Sequence, residues 1–557
     1  MRKILLLSII ILFPLFGFSQ SAIPGQDEYY FRLLQITGIT DDTASYQLRT
    51  NRFNRTVTKS HPWQALYQFD KPIFSAAGVV KVNFFEPVLF QSYNTALPRG
   101  NNDGAIWQGK GYNTAFSTGF ETTIGLIHIR FRPVVGMAQN REFDLGPYVP
   151  PIVRGEDGER KASIYAYRDF RGSIDFVQRF GENTFSWFDL GDSSIELRYA
   201  GIRLAASNSH IWTGPAVHTS LQFGYSAPGF RHLYLGTYRP LSTFAGSFEF
   251  AYIFGGMRKS EFFDNRTETK SQSVNSLIVI YSPWFSDHFS LGIARTYFHP
   301  FPESMDQFRK QAGKLFDPAL RGSLSGNDFS ATWDPDNQVG SIFLRYYLPE
   351  HGVEFYTEYG RNDHNADWRD FRAHPNHQRA YTLGILKTMN LSKERLLAVN
   401  FEINQLETNR TSLTRGGQHL GGWYTHGHQV QGFTNRGQIL GTGYGPGMNM
   451  QVLQADIFES RGSLSFKAAR ITYHNSRVDQ FFGNIQEAND ERVEPWEVRN
   501  IELLLGTKFT VFLDHGIELS AAFDQSYILN HHNIKDNDLM NTRFELIVRK
   551  QISGWLR

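Results

Sequence analysis

The chain is 557 residues long and nearly neutral, with 56 basic against 54 acidic side chains and a formal net charge of +2, and it has no lysine- or arginine-rich block, which argues against nucleic acid as a partner. Cysteine is absent, which excludes disulfides, thiolate chemistry and a cysteine-linked lipid anchor. Aromatic residues make up 15% of the chain although its mean hydropathy is −0.37, a combination that suits a transmembrane barrel with rings on its outer face and a polar lumen.

The first element is MRKILLLSIIILFPLFGFSQ: Arg2 and Lys3, an apolar run from Ile4 to Phe16, then Gly17, Ser19 and Gln20. This is the three-part form of a secretory signal, and its core is short for a spanning helix, so residues 1–20 are expected to be removed on export. Next comes QDEYYFRLLQITGIT, in which Tyr30, Leu33, Leu34 and Ile36 fall at helical spacing. Asp27 and Glu28 suit the first turn of such a helix, and Gly38 its end. Residues 21–75 are therefore expected to form a small, partly helical element outside the wall that plugs or caps one mouth.

Alternation begins near Gly78 and continues to the C-terminus, so residues 76–557 are read as the wall and its loops. HGVEFYTEYG sets Val353, Phe355, Thr357 and Tyr359 on one face, with Glu354, Tyr356 and Glu358 on the other. RLLAVNFEINQ, HGIELSAAFDQ, SSIELRYAG, GSFEFAYIFGG and SIFLRYYLP behave alike. Such segments are strands with one greasy and one wet face. A soluble sandwich has the same period. The number of segments, the export signal and faces rich in Phe, Tyr and Leu favour an all-β, antiparallel transmembrane barrel. At roughly 10 residues per tilted strand plus loops, the length allows about 16 to 18 strands.

Long polar, Gly-rich segments interrupt the strands, at residues 92–113, 207–223, 299–337, 360–384 and 421–447. Loops of this length in a compact protein are usually functional. The last, GGWYTHGHQVQGFTNRGQILGTGYGPG, has neither G-x-G-x-x-G nor a Walker Lys-Ser/Thr, so it is not a phosphate cradle. It is read as an inter-strand segment folded tightly over or into the barrel. His426, His428, His374 and His377 lack the company of a metal site, and no G-x-S-x-G marks a nucleophile. No metal, cofactor or catalytic residue is assigned. What the loops combine is Trp and Tyr with Asp, Asn, Arg and His. Sugar rings offer apolar faces to aromatic platforms and hydroxyls to carboxylate, amide and guanidinium groups. The candidate platforms are Trp107, Trp212, Trp368, Trp423 and Tyr424, with Asp363, Asp367, Arg369, Asp370, Arg379 and Arg436 as polar partners.

Several long stretches carry a resemblance. NTALPRGNNDGAIWQGKG, IDFVQRFGENTFSWFDLGDSSIELRYAGIRLAASNSHIWTGP, EYGRNDHNADWRDFRAHPNHQRAYTLG and WYTHGHQVQGFTNRGQILGTGYGPG resemble, in this order, the capsule assembly Wzi family of outer-membrane proteins in its Bacteroidetes-type form. DEYYFRLLQITGIT followed by HPWQALY is similar to that family's start, so the likeness spans the mature chain. It implies an 18-stranded barrel with a helical element at the periplasmic mouth, acting as a surface lectin that attaches or organises capsular polysaccharide. Family resemblance supplies no catalytic residue and no residue-level sugar site. The expected partners are capsular polysaccharide or exopolysaccharide, outer-membrane lipid and the capsule export machinery, with the protein itself a monomer. One departure is the C-terminus, ISGWLR, where many such barrels end in an aromatic residue. The competing readings are a channel for oligosaccharides or small solutes, a membrane-embedded hydrolase, and a structural subunit of a secretion or gliding assembly.

Overall fold

In the computed structural model, residues 27–550 are described, apart from 41–42, 50–56, 58, 65–73, 77–78, 147–173, 264–270, 317–336, 363–371, 409–421, 427–428, 474–477, 479–484, 487–488 and 490–491. The expected signal segment thus lies outside the described residues.

Eighteen antiparallel strands close into a barrel. In chain order they are β1 (Val80–Asn94), β2 (Gly111–Ile124), β3 (Ile127–Phe131 and Val134–Ala138), β4 (Phe185–Asp189 and Ser194–Tyr199), β5 (Ile202–Ser207) and β6 (Arg231–Thr237 and Leu241–Thr243). β7 (Gly246–Met257), β8 (Gln272–Pro283), β9 (Phe289–Pro300), β10 (Asn337–Leu348), β11 (Val353–Asn362) and β12 (Arg379–Ser392) follow. The last six are β13 (Arg395–Gln405), β14 (Asn449–Glu459), β15 (Gly462–Thr472), β16 (Ile501–Leu513), β17 (Ile517–Leu529) and β18 (Leu539–Lys550). Closure comes where β1 meets β18, from Val88 opposite Arg549 to Asn94 opposite Arg543. An open edge in hydrocarbon would leave backbone groups unpaired, and closure of β1 on β18 removes it at this seam. The breaks have local causes. Glu86 and Pro87 produce a register shift in β1, and Pro133, which has no N–H to donate, divides β3.

The period-2 pattern decides which way each side chain points. On β11, Glu354, Tyr356 and Glu358 are 0%, 2% and 0% exposed, while Phe355 and Tyr359 between them are 46% and 42% exposed. On β13, Ala398, Asn400, Glu402 and Asn404 face inward and Phe401 faces out. The barrel is oily outside, and its interior combines such polar side chains with an apolar cluster in which Ile253, Phe298, Phe343 and Val452 of the wall meet Trp423 and Phe433. Exposed rings gather at both rims: Tyr93, Tyr112, Tyr359 and Tyr527 at one, Tyr199, Phe244, Trp284 and Phe285 at the other. Tight turns such as Pro349–Gly352 and Ser460–Arg461 join strands at the second rim, and the long segments lie at the first. In bacterial barrels that asymmetry puts turns in the periplasm and loops outside.

The lumen is filled. α1 (Asp27–Ile36) lies inside the short-turn mouth with Tyr30 to Ile36 all buried, and Gly38, at φ 64°, ends it. Tyr30 stacks on Trp63 at 4.2 Å, and the Trp63 indole donates to the Glu459 carbonyl in the β14–β15 turn at 3.1 Å. Arg32 and Arg345 share the Glu354 carboxylate, Arg345 at 2.6 Å, and Arg345 also donates to the Gln35 side chain at 2.7 Å. Two long segments then fold inward from the other mouth. In residues 208–230, the Val217 and His218 N–H groups donate to Glu402 at 2.6 and 3.3 Å, beside the Tyr356 hydroxyl at 2.7 Å. Residues 422–448 pack on that segment: the Tyr424 hydroxyl donates to Leu221 O at 2.8 Å, and Gly224 N–H donates to Leu440 O at 2.7 Å. The glycines of this stretch permit the close approach, since a Cβ at Gly441 would collide with the Tyr424 hydroxyl. The described residues of the segment fold into the barrel, and among them there is no lipid-facing strand.

Candidate functional site

Above this packed interior the loop-side mouth keeps a cavity of about 250 Å³. Residues 97–108 form one wall; Phe176, Tyr444, Tyr473, Asn500 and His531 complete the others. Side-chain amides brace the first wall. Asn94 donates to the carbonyls of Arg99, Gln108 and Gly109 at 3.0 to 3.2 Å, and Asn541 Oδ1 accepts from the Ala96 and Leu97 N–H groups at 2.8 and 3.0 Å. Asn102 and Gly104, both with positive φ, bend the loop back onto the inward segment. There Asn102 donates to His218 O at 2.8 Å and Gly104 N–H to Tyr225 O at 2.6 Å. The cavity is therefore held to the plug beneath it.

Its rings are anchored at their edges. Trp107 meets Phe180 edge-on at 4.8 Å, and Arg99 lies over Tyr473 at 5.3 Å while bridging to Glu502 at 3.0 Å. Its polar atoms are incompletely paired. Trp107 Nε1, Asn101 Oδ1, Asn500 Oδ1 and both ring nitrogens of His531 are buried and have no hydrogen-bond partner among the described residues. Buried polar groups are normally satisfied, so these five atoms, in residues that line one cavity, are donors and acceptors that the described residues leave over. Burial pushes the His531 imidazole down to about 3, helped by His532 and Arg99. At neutral pH it is uncharged, with one nitrogen donating and the other accepting. Burial pushes the Asp103 carboxyl up to about 7 against the pull of Arg543, and that carboxyl accepts from Gln108 Nε2 at 2.8 Å. Aromatic faces, an uncharged donor–acceptor ring and amide oxygens suit a hydroxyl-rich neutral ligand. Among the described residues, no group of three or more His, Asp and Glu is placed to hold a metal ion.

Of the residues singled out in the sequence, Trp107 lines this cavity. Trp212, Trp423 and Tyr424 do not: they are 1%, 1% and 0% exposed in the lumen core. Arg49 covers the Trp212 ring at 4.4 Å, and the Trp423 indole donates to Gln378 O at 3.0 Å. Their rings contact protein on every side, so their work is to pack the plug. Arg436 pairs with Asp189 at 2.8 Å by the wall, and Arg379 begins β12 beside Tyr381; neither lines the cavity. Asp363, Asp367, Trp368, Arg369 and Asp370 lie outside the described residues. Sequence reading missed Tyr473, Asn500 and His531. A usable signal was NHHNIKDND, dense in Asn, Asp and His: Asn530, His532, Asn533 and Asp536 all take positive φ, which these residue types tolerate best.

The sequence profile of the capsule assembly protein Wzi family matches residues 97–537. The chain belongs to this family. Among solved structures the fold is similar to Wzi of Escherichia coli, described as an outer-membrane protein involved in group 1 capsule assembly and a carbohydrate-binding β-barrel. The TM-score is 0.52 at 11% identity, over 83% of each chain. OprD from Pseudomonas aeruginosa aligns with a TM-score of 0.36 at 9% identity, over 84% of this chain and 92% of that one. A BenF-like porin from Pseudomonas fluorescens Pf-5 gives 0.39 at 8% identity, over 84% and 98%. No curated protein sequence matches the chain. The matched residues take in β2 to β17, both inward segments and the lining of the loop-side cavity, while α1, β1 and β18 lie outside them.

Proposed function

We propose that this chain is a non-enzymatic outer-membrane lectin that binds capsular polysaccharide at its loop-side cavity and helps attach it to the cell surface. The observation that carries the reading is the set of unpaired buried polar atoms beside Trp107, Tyr444 and Tyr473. Such an arrangement pairs sugar hydroxyls while rings take the C–H faces, and it needs no covalent step. Family membership and the description of the Escherichia coli protein point the same way. In this reading residues 1–20 direct export, residues 21–75 close the periplasmic mouth, and the monomeric barrel receives polysaccharide from the export machinery. Asp363, Asp367, Trp368, Arg369 and Asp370, which lie outside the described residues, are proposed as further polysaccharide contacts on residue type alone. A channel reading draws no support from a lumen occupied by α1 and two inward segments.

The test is retention. Deleting the gene is expected to move capsular polysaccharide from the cells into the medium, and the purified barrel is expected to bind polysaccharide of its own strain. Unchanged retention together with no binding would remove the proposal.

A further inference from the structure

Near β5 the wall is incomplete at the loop-side rim. β5 and the main part of β6 are 6 and 7 residues long, against 12 in β7. After Ser207 the chain turns into the lumen and rejoins the wall at Arg231. The Phe185–Asp189 half of β4 therefore pairs with β3 and, among the described residues, with no strand on its other side. A groove of about 1080 Å³ runs along the outer face below this notch. Its surface is apolar: Phe131, Ile195 and Leu233 are 39%, 61% and 56% exposed there.

Cations stand at the loop-side end of the groove. Arg231 opens β6 opposite Gly256, and Arg258 directly follows β7. Both are exposed, and neither has a side-chain hydrogen bond or ion pair among the described residues. The Arg436 N–H donates to Arg258 O at 2.7 Å, and its guanidinium reaches Asp189 in the notch. Burial lowers the Arg258 guanidinium from its ordinary value, and the nearby Arg231 and Arg436 charges add to this against the pull of Asp189. The carboxylates at this end are Asp189, paired with Arg436, Asp192, held by Arg130 at 2.8 Å, and Glu303 at the rim.

We propose that this groove is a binding site for a phosphorylated, multiply acylated lipid of the outer leaflet, with acyl chains along Phe131, Ile195 and Leu233 and phosphate against Arg231 and Arg258. Hydrocarbon covers the exposed rings and branched chains, as it does elsewhere on the wall, but here it enters a concavity. The loop-side end of the wall lies at headgroup height, where guanidinium groups pair with phosphate in forked geometry. The edge of β4 that no described strand pairs lies at the same height, where a polar headgroup satisfies backbone groups as hydrocarbon cannot. Annular lipid would follow any apolar face; a site follows from two arginines that the described residues leave unpaired.

The experiment uses the full barrel in nanodiscs, with bisphosphorylated hexa-acylated lipid A as the probe and native mass spectrometry as the readout. The wild type is expected to retain the lipid in preference to phosphatidylethanolamine. The double variant Arg231→Gln, Arg258→Gln, at exposed positions that do not enter the fold, is expected to weaken retention roughly 10- to 30-fold. Removing the phosphates from the probe is expected to weaken it similarly, and inorganic phosphate is expected not to compete. Equal retention by the double variant, equal binding of dephosphorylated lipid, or displacement by inorganic phosphate would each overturn the proposal. Polysaccharide binding at the loop-side cavity is read in parallel and is expected to be unchanged in the double variant, so the two sites stand or fall separately.

Discussion

Replacing Trp107 by Phe isolates one atom of the proposed sugar site. The variant keeps an aromatic face and the edge contact that the indole makes with Phe180 at 4.8 Å, and it removes the buried Nε1–H that has no protein partner. A neutral hydrogen bond contributes about 0.5–1.5 kcal/mol net, so affinity for a short oligosaccharide is expected to fall roughly 3- to 10-fold. Stability is expected to move the other way or not at all, because an unsatisfied buried donor costs about 1–3 kcal/mol when nothing pairs it. Trp107→Ala also removes the platform, worth a further 0.5–1.5 kcal/mol or so, and is expected to weaken binding about 10- to 100-fold. Titration calorimetry with monovalent capsular fragments measures the first quantity, and the unfolding midpoint in detergent measures the second. Unchanged affinity in both variants with an intact barrel would show that the ligand does not enter this cavity. A large loss of stability in the Phe variant would show that the indole N–H serves the fold.

Glu402 gathers the N–H groups of the inward segment at residues 217–219. Glu402→Ala strands those donors and the Tyr356 hydroxyl, and it is expected to lower the barrier to losing the plug by about 3–5 kcal/mol, read as a drop in unfolding midpoint. In planar bilayers the wild type is expected to give no steady conductance, and an open ohmic pore would defeat the filled-lumen reading. Asp103, raised to about 7, contributes stability that is present below the ordinary carboxylate range and lost as pH rises through 7. His531, lowered to about 3, contributes stability that is present above 6.5 and lost as pH falls toward 3. The unfolding midpoint of the wild type is thus expected to decline between pH 5 and 8 relative to Asp103→Asn; parallel profiles would refute the assignment.

The wall was legible because its determinant is local. Period-2 alternation in HGVEFYTEYG already sorts Glu354 and Glu358 from Phe355 and Tyr359, and export plus aromatic content chooses the barrel over the sandwich. The helix at Asp27–Ile36 was legible for the same reason, its apolar residues being spaced for one face. Function of the loop aromatics was not. Trp212, Trp423 and Tyr424 sit in Gly-rich polar surroundings, and the sequence looks alike whether a ring there stacks on sugar or on another loop. What decides is contact across long separations: Tyr424 meets Leu221 203 residues away, and the loop bearing Trp107 is braced by Asn541, 445 residues from Ala96. Convergence of Trp107, Tyr473, Asn500 and His531 on one cavity is likewise invisible to any window of sequence.

A cavity of about 250 Å³ is below the usual range for sites that enclose a drug-sized ligand, so the proposed site has room for a sugar residue or two of a long chain. Single-site affinity is then modest, and the firm attachment of a polymer has to come from number. A capsular chain repeats its unit many times, and each barrel offers one rigid cavity on a floor of packed loops. Once one unit is held, neighbouring units face neighbouring barrels at high effective concentration, which raises overall avidity by roughly 10²- to 10⁴-fold without any new contact. The filled lumen serves this arrangement, since a floor braced by Glu354, Glu402 and Tyr424 keeps the cavity in one shape and reduces the ordering cost of each weak event. Monovalent fragments are accordingly expected to bind in the millimolar range, about −4 kcal/mol, while intact polymer remains on a barrel-coated surface through extended washing. Equal affinity for fragment and polymer at high barrel density would mean that retention depends on something other than many shallow sites acting together.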